Sequence, residues 1–146
     1  MEEIKSFIIA ITAAIGGIAS TYLGGMDEML TALIVFMLID YITGLIVCLV
    51  FKNSPKTETG GASSKIGFKG LFKKFVVIML IMIMVQADII LNTNNFFREA
   101  AIWGFLANEL FSLIENVGLM GIKLPKAFTN AFDVLKKKEE INGEQE

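Results

Sequence analysis

Four long apolar stretches are the feature that most limits what this 146-residue chain can fold into. They cover residues 4–23, 30–51, 72–91 and 96–119. A helix rises about 1.5 Å per residue, so about 20 apolar residues are needed to cross a hydrocarbon core of roughly 30 Å. Each stretch has about that length, and the connections between them are short or polar. The sequence therefore predicts an all-α integral membrane protein with four transmembrane helices.

The fourth stretch is less apolar than the others, and its polar residues fall on one arc of a helical wheel. Such a helix either lines an aqueous path or faces another copy, or it lies flat in the membrane interface. Interfacial helices usually carry Lys and Arg on their polar face, whereas this face is mainly acidic and amide. That difference favours the lining or oligomer-facing role, with three transmembrane helices and an interfacial fourth as the alternative. The arc consists of Arg98, Phe105, Asn108, Glu109, Ser112, Glu115 and Asn116.

Lysines in the loops predict the orientation, because cytoplasmic loops of membrane proteins are enriched in Lys and Arg. Residues 52–74 hold six lysines and one acid, whereas the connection at 24–29 holds two acids and no base. The loop after the second helix is therefore predicted to be cytoplasmic, which places both termini in the cytoplasm. Residues 1–122 form the predicted membrane domain. Residues 123–146 form a short cytoplasmic amphipathic helix, which begins at Pro125, and an acidic tail.

Four of these lysines are predicted to contact anionic lipid headgroups, because they lie next to the start of the third helix. Their position between two membrane spans makes lipid a simpler partner than nucleic acid. The four are Lys65, Lys69, Lys73 and Lys74.

Asp40 lies near the middle of the second helix, where an ionised carboxylate cannot face lipid. It must be protonated, paired, hydrogen-bonded across helices or exposed to a water-filled lumen. Thr43 and Gly44 follow one turn later on the same side of the helix. We expect Asp40 and Thr43, together with the polar residues of the fourth helix from Asn108 to Asn116, to form an oligomer, lumen or gating surface. An interhelical contact and a proton relay are the other roles open to Asp40.

The first helix carries small residues on one face and bulky residues on the other. Small residues let two helix backbones approach closely, so this face predicts a helix-packing seam, either within the chain or between copies. The seam consists of Ala10, Ala13, Ala14 and Gly17.

Enzyme chemistry has little support in the sequence. The chain has no His and one Cys, Cys48, which removes the residues needed for a Cys-His nucleophile pair, a catalytic triad or a classical zinc site. Walker, G-x-G-x-x-G and H-E-x-x-H motifs are also absent. We therefore expect a protein without enzymatic activity, cofactor or metal.

Three motifs resemble the toxin-secretion and phage-lysis holin family, which occurs in phages of Gram-positive bacteria and in clostridial toxin loci. The first is D-Y-I-T-G at 40–44, and the second is S-S-K-I-G-F-K-G-L-F-K-K at 63–74. The third is N-E-L-F-S-L-I-E-N at 108–116, which is followed by G-I-K-L-P at 121–125. The resemblance spans most of residues 36–135.

This resemblance implies a holin that self-associates in the bacterial cytoplasmic membrane and opens large lesions at a set time. Membrane lipids and further copies of the chain are then its direct partners, and an endolysin or a large toxin leaves through the lesion. No catalytic residue is implied. Two alternatives from other classes are a fixed-pore channel or transporter subunit for ions or metabolites and an antiholin-like membrane regulator.

Overall fold

The computed structural model of the protein describes residues 1–55, 61, 64–126 and 130. Across these residues the chain forms four α-helices and no strand, which confirms the predicted all-α class: α1 (Glu2–Tyr22), α2 (Glu28–Ile46), α3 (Ser64–Leu91) and α4 (Phe96–Leu119). A π-helical segment, Val47–Phe51, continues α2. Most of the predicted cytoplasmic helix and acidic tail, at 123–146, lies outside the described residues.

Within the described residues, three helical segments are long and apolar enough to cross a membrane: Glu2–Tyr22, Glu28–Phe51 and Ser64–Leu91. They confirm that the chain is a membrane protein. α4 has the required length of 24 residues, but it is not among these three segments. Arg98, Glu99, Glu109 and Glu115 all lie within it.

The turn between α1 and α2 follows the local signals in the sequence. Gly24 and Gly25 have φ angles of 76° and 96°, in a left-handed region that glycine adopts without steric cost. Their amides donate to Thr21 O and Ser20 O, which closes the last turn of α1. Asp27 then accepts a hydrogen bond of 2.8 Å from the Leu30 amide. This contact caps the N-terminus of α2.

α3 begins at Ser64, eight residues before the predicted start of the third apolar stretch. The prediction followed hydropathy, which marks where a helix becomes apolar and not where its hydrogen bonding begins. Gly67 and Gly70 lower helix propensity in this first part, yet the helix runs through both. Four of the six lysines of 52–74 therefore lie in the first part of α3, namely Lys65, Lys69, Lys73 and Lys74.

α4 packs along both α2 and α3, and contacts at its two ends fix its direction. Near its start Arg98 contacts Asp27, which precedes α2. Near its end the carbonyl of Leu119 accepts a hydrogen bond of 3.1 Å from Asn53, which follows the π-helical segment. α4 therefore runs parallel to α2 along its whole length, while α3 runs antiparallel to both.

The apolar core lies among these three helices toward the end where α2 begins. Its buried members come from the α1–α2 turn, α2, α3 and α4: Leu23, Leu30, Leu33, Met37, Ile81 and Ile102. α1 joins this core at its C-terminal end through Leu23, which is 5% exposed. The predicted seam residues of α1 (Ala10, Ala13, Ala14 and Gly17) are all exposed, and nothing lies within 4 Å of the position that a Cβ would occupy at Gly17.

Candidate functional site

A buried ion network joins the middle of the three packed helices. Lys74 of α3 places its Nζ 2.8 Å from Asp40 Oδ2 of α2 and 2.5 Å from Glu109 Oε2 of α4. The side chains of Lys74, Asp40 and Glu109 are 14%, 17% and 6% exposed. One ammonium therefore bridges two carboxylates, and each helix of the bundle contributes one charged group.

Asn116 extends this network toward the C-terminal end of α4. Its Nδ2 donates to Asp40 Oδ1 at 3.0 Å, to the Asp40 carbonyl at 3.3 Å and to Thr43 Oγ1 at 3.0 Å. The Thr43 hydroxyl donates to the Asp40 carbonyl at 3.0 Å. Both side-chain oxygens of Asp40 thus accept hydrogen bonds from nitrogen donors. Asp40 is therefore both ion-paired and hydrogen-bonded across helices, which are two of the four possible environments predicted for it from the sequence.

The network makes it possible for Asp40 to lie in an apolar helix. An isolated aspartate at the centre of a transmembrane helix costs about 2.5 to 3.5 kcal/mol on insertion scales. A buried ion pair offsets this cost when its geometry is good and its remaining hydrogen bonds are satisfied. Within the described residues no buried side-chain nitrogen or oxygen lacks a hydrogen-bond partner. The three helices therefore depend on one another, because removal of Lys74 leaves a carboxylate on α2 and another on α4 without a cation.

A groove of about 850 Å³ opens beside the network, and all three helices line it. Gly70 and Gly104 widen it, since nothing lies within 4 Å of the position that a Cβ would occupy at either residue. The groove brings four of the predicted site residues together with two of the predicted headgroup lysines, namely Asp40, Asn108, Glu109, Ser112, Lys73 and Lys74. Thr43 and Asn116 lie behind Asp40, and Glu115 is exposed without lining the groove.

Lys74 is placed differently from the other three lysines that were predicted to contact headgroups. Lys65, Lys69 and Lys73 recur every four residues on α3 and are exposed. Lys74 lies one residue further, which turns it about 100° around the helix. Its ammonium consequently points into the bundle at Asp40 and Glu109, where it is engaged by carboxylates instead of lipid.

A second buried cation, Arg98, ties α4 to the α1–α2 turn. Its Nε donates to the Leu23 carbonyl at 2.7 Å, its Nη2 to the Gly25 carbonyl at 3.1 Å and its Nη1 to Asp27 Oδ2 at 2.5 Å. The side chain is 2% exposed. Hydrogen bonding from Arg98 is the main cause that lowers the pKa of Asp27, against an opposing contribution from burial. We call this set the Arg98 clamp.

The first turn of α4 is fixed by an acid from the preceding helix. Asp88 of α3 accepts hydrogen bonds from the amides of Phe97 and Arg98, at 3.0 and 2.8 Å, and from the Thr93 hydroxyl. The sequence predicted Arg98 on the polar arc of α4 without a partner, and Asp88 was not among the predicted site residues. Both are charged residues next to the connection between the third and fourth helices, and that position was the available signal.

The described residues contain no group of three or more His, Cys, Asp or Glu side chains with the spacing to hold a metal ion. The ion pairs join charged groups of different elements: Lys74 with Asp40 and Glu109, and Arg98 with Asp27. The fold and this network define a multi-pass α-helical membrane protein in which Asp40, Lys74, Arg98 and Glu109 are paired inside the bundle.

Comparison with known proteins identifies the family. The bacteriophage holin family matches residues 17–137. An uncharacterized protein of Listeria monocytogenes is 38% identical over 130 residues, which cover 89% of this chain and 85% of that protein. A protein of Bacillus phage phi105 that is named a probable holin is 28% identical over 118 residues, which cover 81% and 82% of the two chains. No solved structure matches the chain. The chain belongs to the bacteriophage holin family.

Proposed function

We propose that the chain is a holin that oligomerises in the bacterial cytoplasmic membrane and opens large lesions at a set time. An endolysin, or a large toxin, leaves the cell through them. The observation that carries this proposal is the family match over residues 17–137, on a chain with three helical segments able to cross a membrane. The similarity to a probable holin of a Bacillus phage supports phage lysis as the setting.

The proposed arrangement has four crossings, with α4 as the fourth. α4 runs beside α2 from the Arg98 clamp to the contact between Asn53 and Leu119. A helix that lies beside a membrane-crossing helix from one end to the other also crosses the membrane. Two of its four charged residues, Arg98 and Glu109, are paired inside the bundle, and the other two, Glu99 and Glu115, are exposed. Together with the lysine-rich connection, four crossings place both termini in the cytoplasm.

One copy has too few helices to enclose an opening for a folded protein, so the lesion requires many copies. The seam on α1 supports such an assembly. Ala10, Ala13, Ala14 and Gly17 are all exposed. An exposed face of small residues allows close contact between helices of different copies. This exposed face can therefore contact another copy of the chain. The alternative, packing within the chain, is not observed among the described residues.

The ion network supplies a reason for delay before the lesion opens. In the single copy Asp40, Glu109 and Asn116 face inward and are engaged by one another or by Lys74. A hydrated lesion needs polar surface on one side of each subunit, and these residues supply it once the network separates and meets water. Opening therefore requires buried ion pairs to break, which slows it. Asn108 and Ser112 already line the groove and would join the same hydrated surface.

Co-expression with an endolysin that lacks any secretion signal tests the proposed function. We expect abrupt lysis of a bacterial culture after a delay when both proteins are present. No lysis should follow when the endolysin is expressed alone. An antiholin-like regulator would give no lysis in either culture, and that outcome would overturn the proposal.

A further inference from the structure

The ion network contains more negative than positive charge. Asp40 and Glu109 face one ammonium, that of Lys74, and the two oxygens that contact it lie within about 5.3 Å of each other. In the described part of the chain no other cation contacts either carboxylate. Lys73 lines the neighbouring groove and is exposed, and Tyr41 and Cys48 are the other titratable groups there. With every carboxylate ionised, the network would hold one unbalanced negative charge inside the bundle.

The two carboxyl groups differ in their surroundings. Both side-chain oxygens of Asp40 accept hydrogen bonds, Oδ2 from Lys74 and Oδ1 from Asn116. Glu109 accepts from Lys74 through Oε2 alone, and among the described residues no donor contacts its Oε1. The hydrogen bonds around Asp40 therefore favour an ionised carboxylate. Glu109 has one oxygen that is open to a proton, on a residue that lines the groove.

We propose that the network is a proton-binding site, in which Glu109 Oε1 carries one proton while Asp40 and Lys74 form the ion pair. The bound proton makes the three side chains neutral together, since one carboxylate balances one ammonium. Two negative charges that share one cation at close range disfavour double ionisation, and the low dielectric of a membrane strengthens this effect.

The groove provides the path along which the proton exchanges. Its lining continues from the network past Gly70 and Gly67 to Cys48, toward the ends of α2 and α3 that meet the lysine-rich connection. In the other direction it is lined by apolar side chains such as Val77, Leu80 and Met84. Access from one side of the membrane follows from this asymmetry. The inference rests on the proposed crossing of α4 and is independent of lesion formation, because a single copy contains the whole site.

Infrared spectroscopy of the purified full chain in lipid bilayers at neutral pH tests the site, because a protonated carboxyl group has its own carbonyl band. We expect this band in the unmodified protein. Glu109→Gln should abolish it by removing the protonated group. Asp40→Asn should also abolish it, since Glu109 then ionises and pairs with Lys74. Glu115→Gln, which changes an exposed acid on the same helix, is the matched control and should keep the band.

Lys74→Met provides a test in the opposite direction. Without the ammonium both carboxyls should take up a proton, so the band should about double in intensity. Absence of the band from the unmodified protein would overturn the proposal, as would its survival in Asp40→Asn. The band is measured without lysis, so a protein that binds the proton but fails to lyse cells would refute the proposed function and leave this inference intact.

Discussion

Replacement of Lys74 by methionine removes the cation that holds α2, α3 and α4 together, while the length of the side chain is nearly kept. Asp40 and Glu109, at 17% and 6% exposure, are then left without a positive partner. Loss of one member of a buried ion pair destabilises a protein by roughly 3 to 5 kcal/mol. We therefore expect a loss of about 4 kcal/mol at neutral pH.

The measurement is the free energy of unfolding, from denaturant titration of the purified protein in mixed micelles. Lys73→Met is the matched control, because Lys73 is the exposed neighbour, and a surface substitution of this kind changes stability by about 0.5 kcal/mol or less. Adding Asp40→Asn and Glu109→Gln to Lys74→Met should restore most of the lost stability, since no unbalanced charge is then buried.

The penalty should also depend on pH. Protonating a carboxyl becomes easier by about 1.4 kcal/mol for each pH unit of acidification. The effect of Lys74→Met should therefore shrink as the pH falls from 7 toward 5. The reasoning is refuted if Lys74→Met and Lys73→Met destabilise the protein equally, or if the triple substitution is less stable than Lys74→Met alone.

Three further predictions concern the Arg98 clamp, the α1–α2 turn and the groove. Arg98 lowers the pKa of the Asp27 carboxyl, so ionised Asp27 stabilises the fold at pH values above its ordinary pKa of 3.8. The stability advantage over Asp27→Asn should therefore be full at neutral pH and disappear as the pH falls below 3.8, as measured by thermal unfolding. Gly24→Ala should destabilise the protein by about 1 to 3 kcal/mol in the same assay, because residue 24 has a positive φ and the new Cβ would lie 2.9 Å from Arg98 Nε. Gly25→Ala should cost less, because residue 25 has a positive φ but no such contact. Cys48 lines the groove near the lysine-rich connection. A membrane-impermeant thiol reagent should therefore label Cys48 from the cytoplasmic side. Labelling from outside intact cells would contradict the proposed topology.

Sequence predicted the helices well because their signals are local. Apolar length is a property of each stretch by itself, and the glycines at 24 and 25 and the Asp27 cap act within a few residues of one turn. The early start of α3 was missed because hydropathy reports where a helix enters lipid. Hydropathy does not indicate where hydrogen bonding begins.

The partners within the network could not be predicted in this way, because they depend on how three helices are rotated against one another. Asp40 was recognised as a residue that needs a partner, but Lys74 is 34 positions away in sequence. It also sits in a run of lysines that is typical of a headgroup surface. Its offset from the stripe of Lys65, Lys69 and Lys73 was the available signal. Arg98 lay on the predicted polar arc of α4, whereas its burial against the α1–α2 turn required the tertiary structure.

The claim that this chain opens lesions wide enough for proteins is tested most directly by the size of what leaves the cell. Potassium efflux and the release of a folded fluorescent reporter protein should be followed in the same culture after expression of the chain. The account predicts that both solutes appear together after a delay. Potassium efflux with full retention of the reporter would identify a fixed small pore and contradict the account.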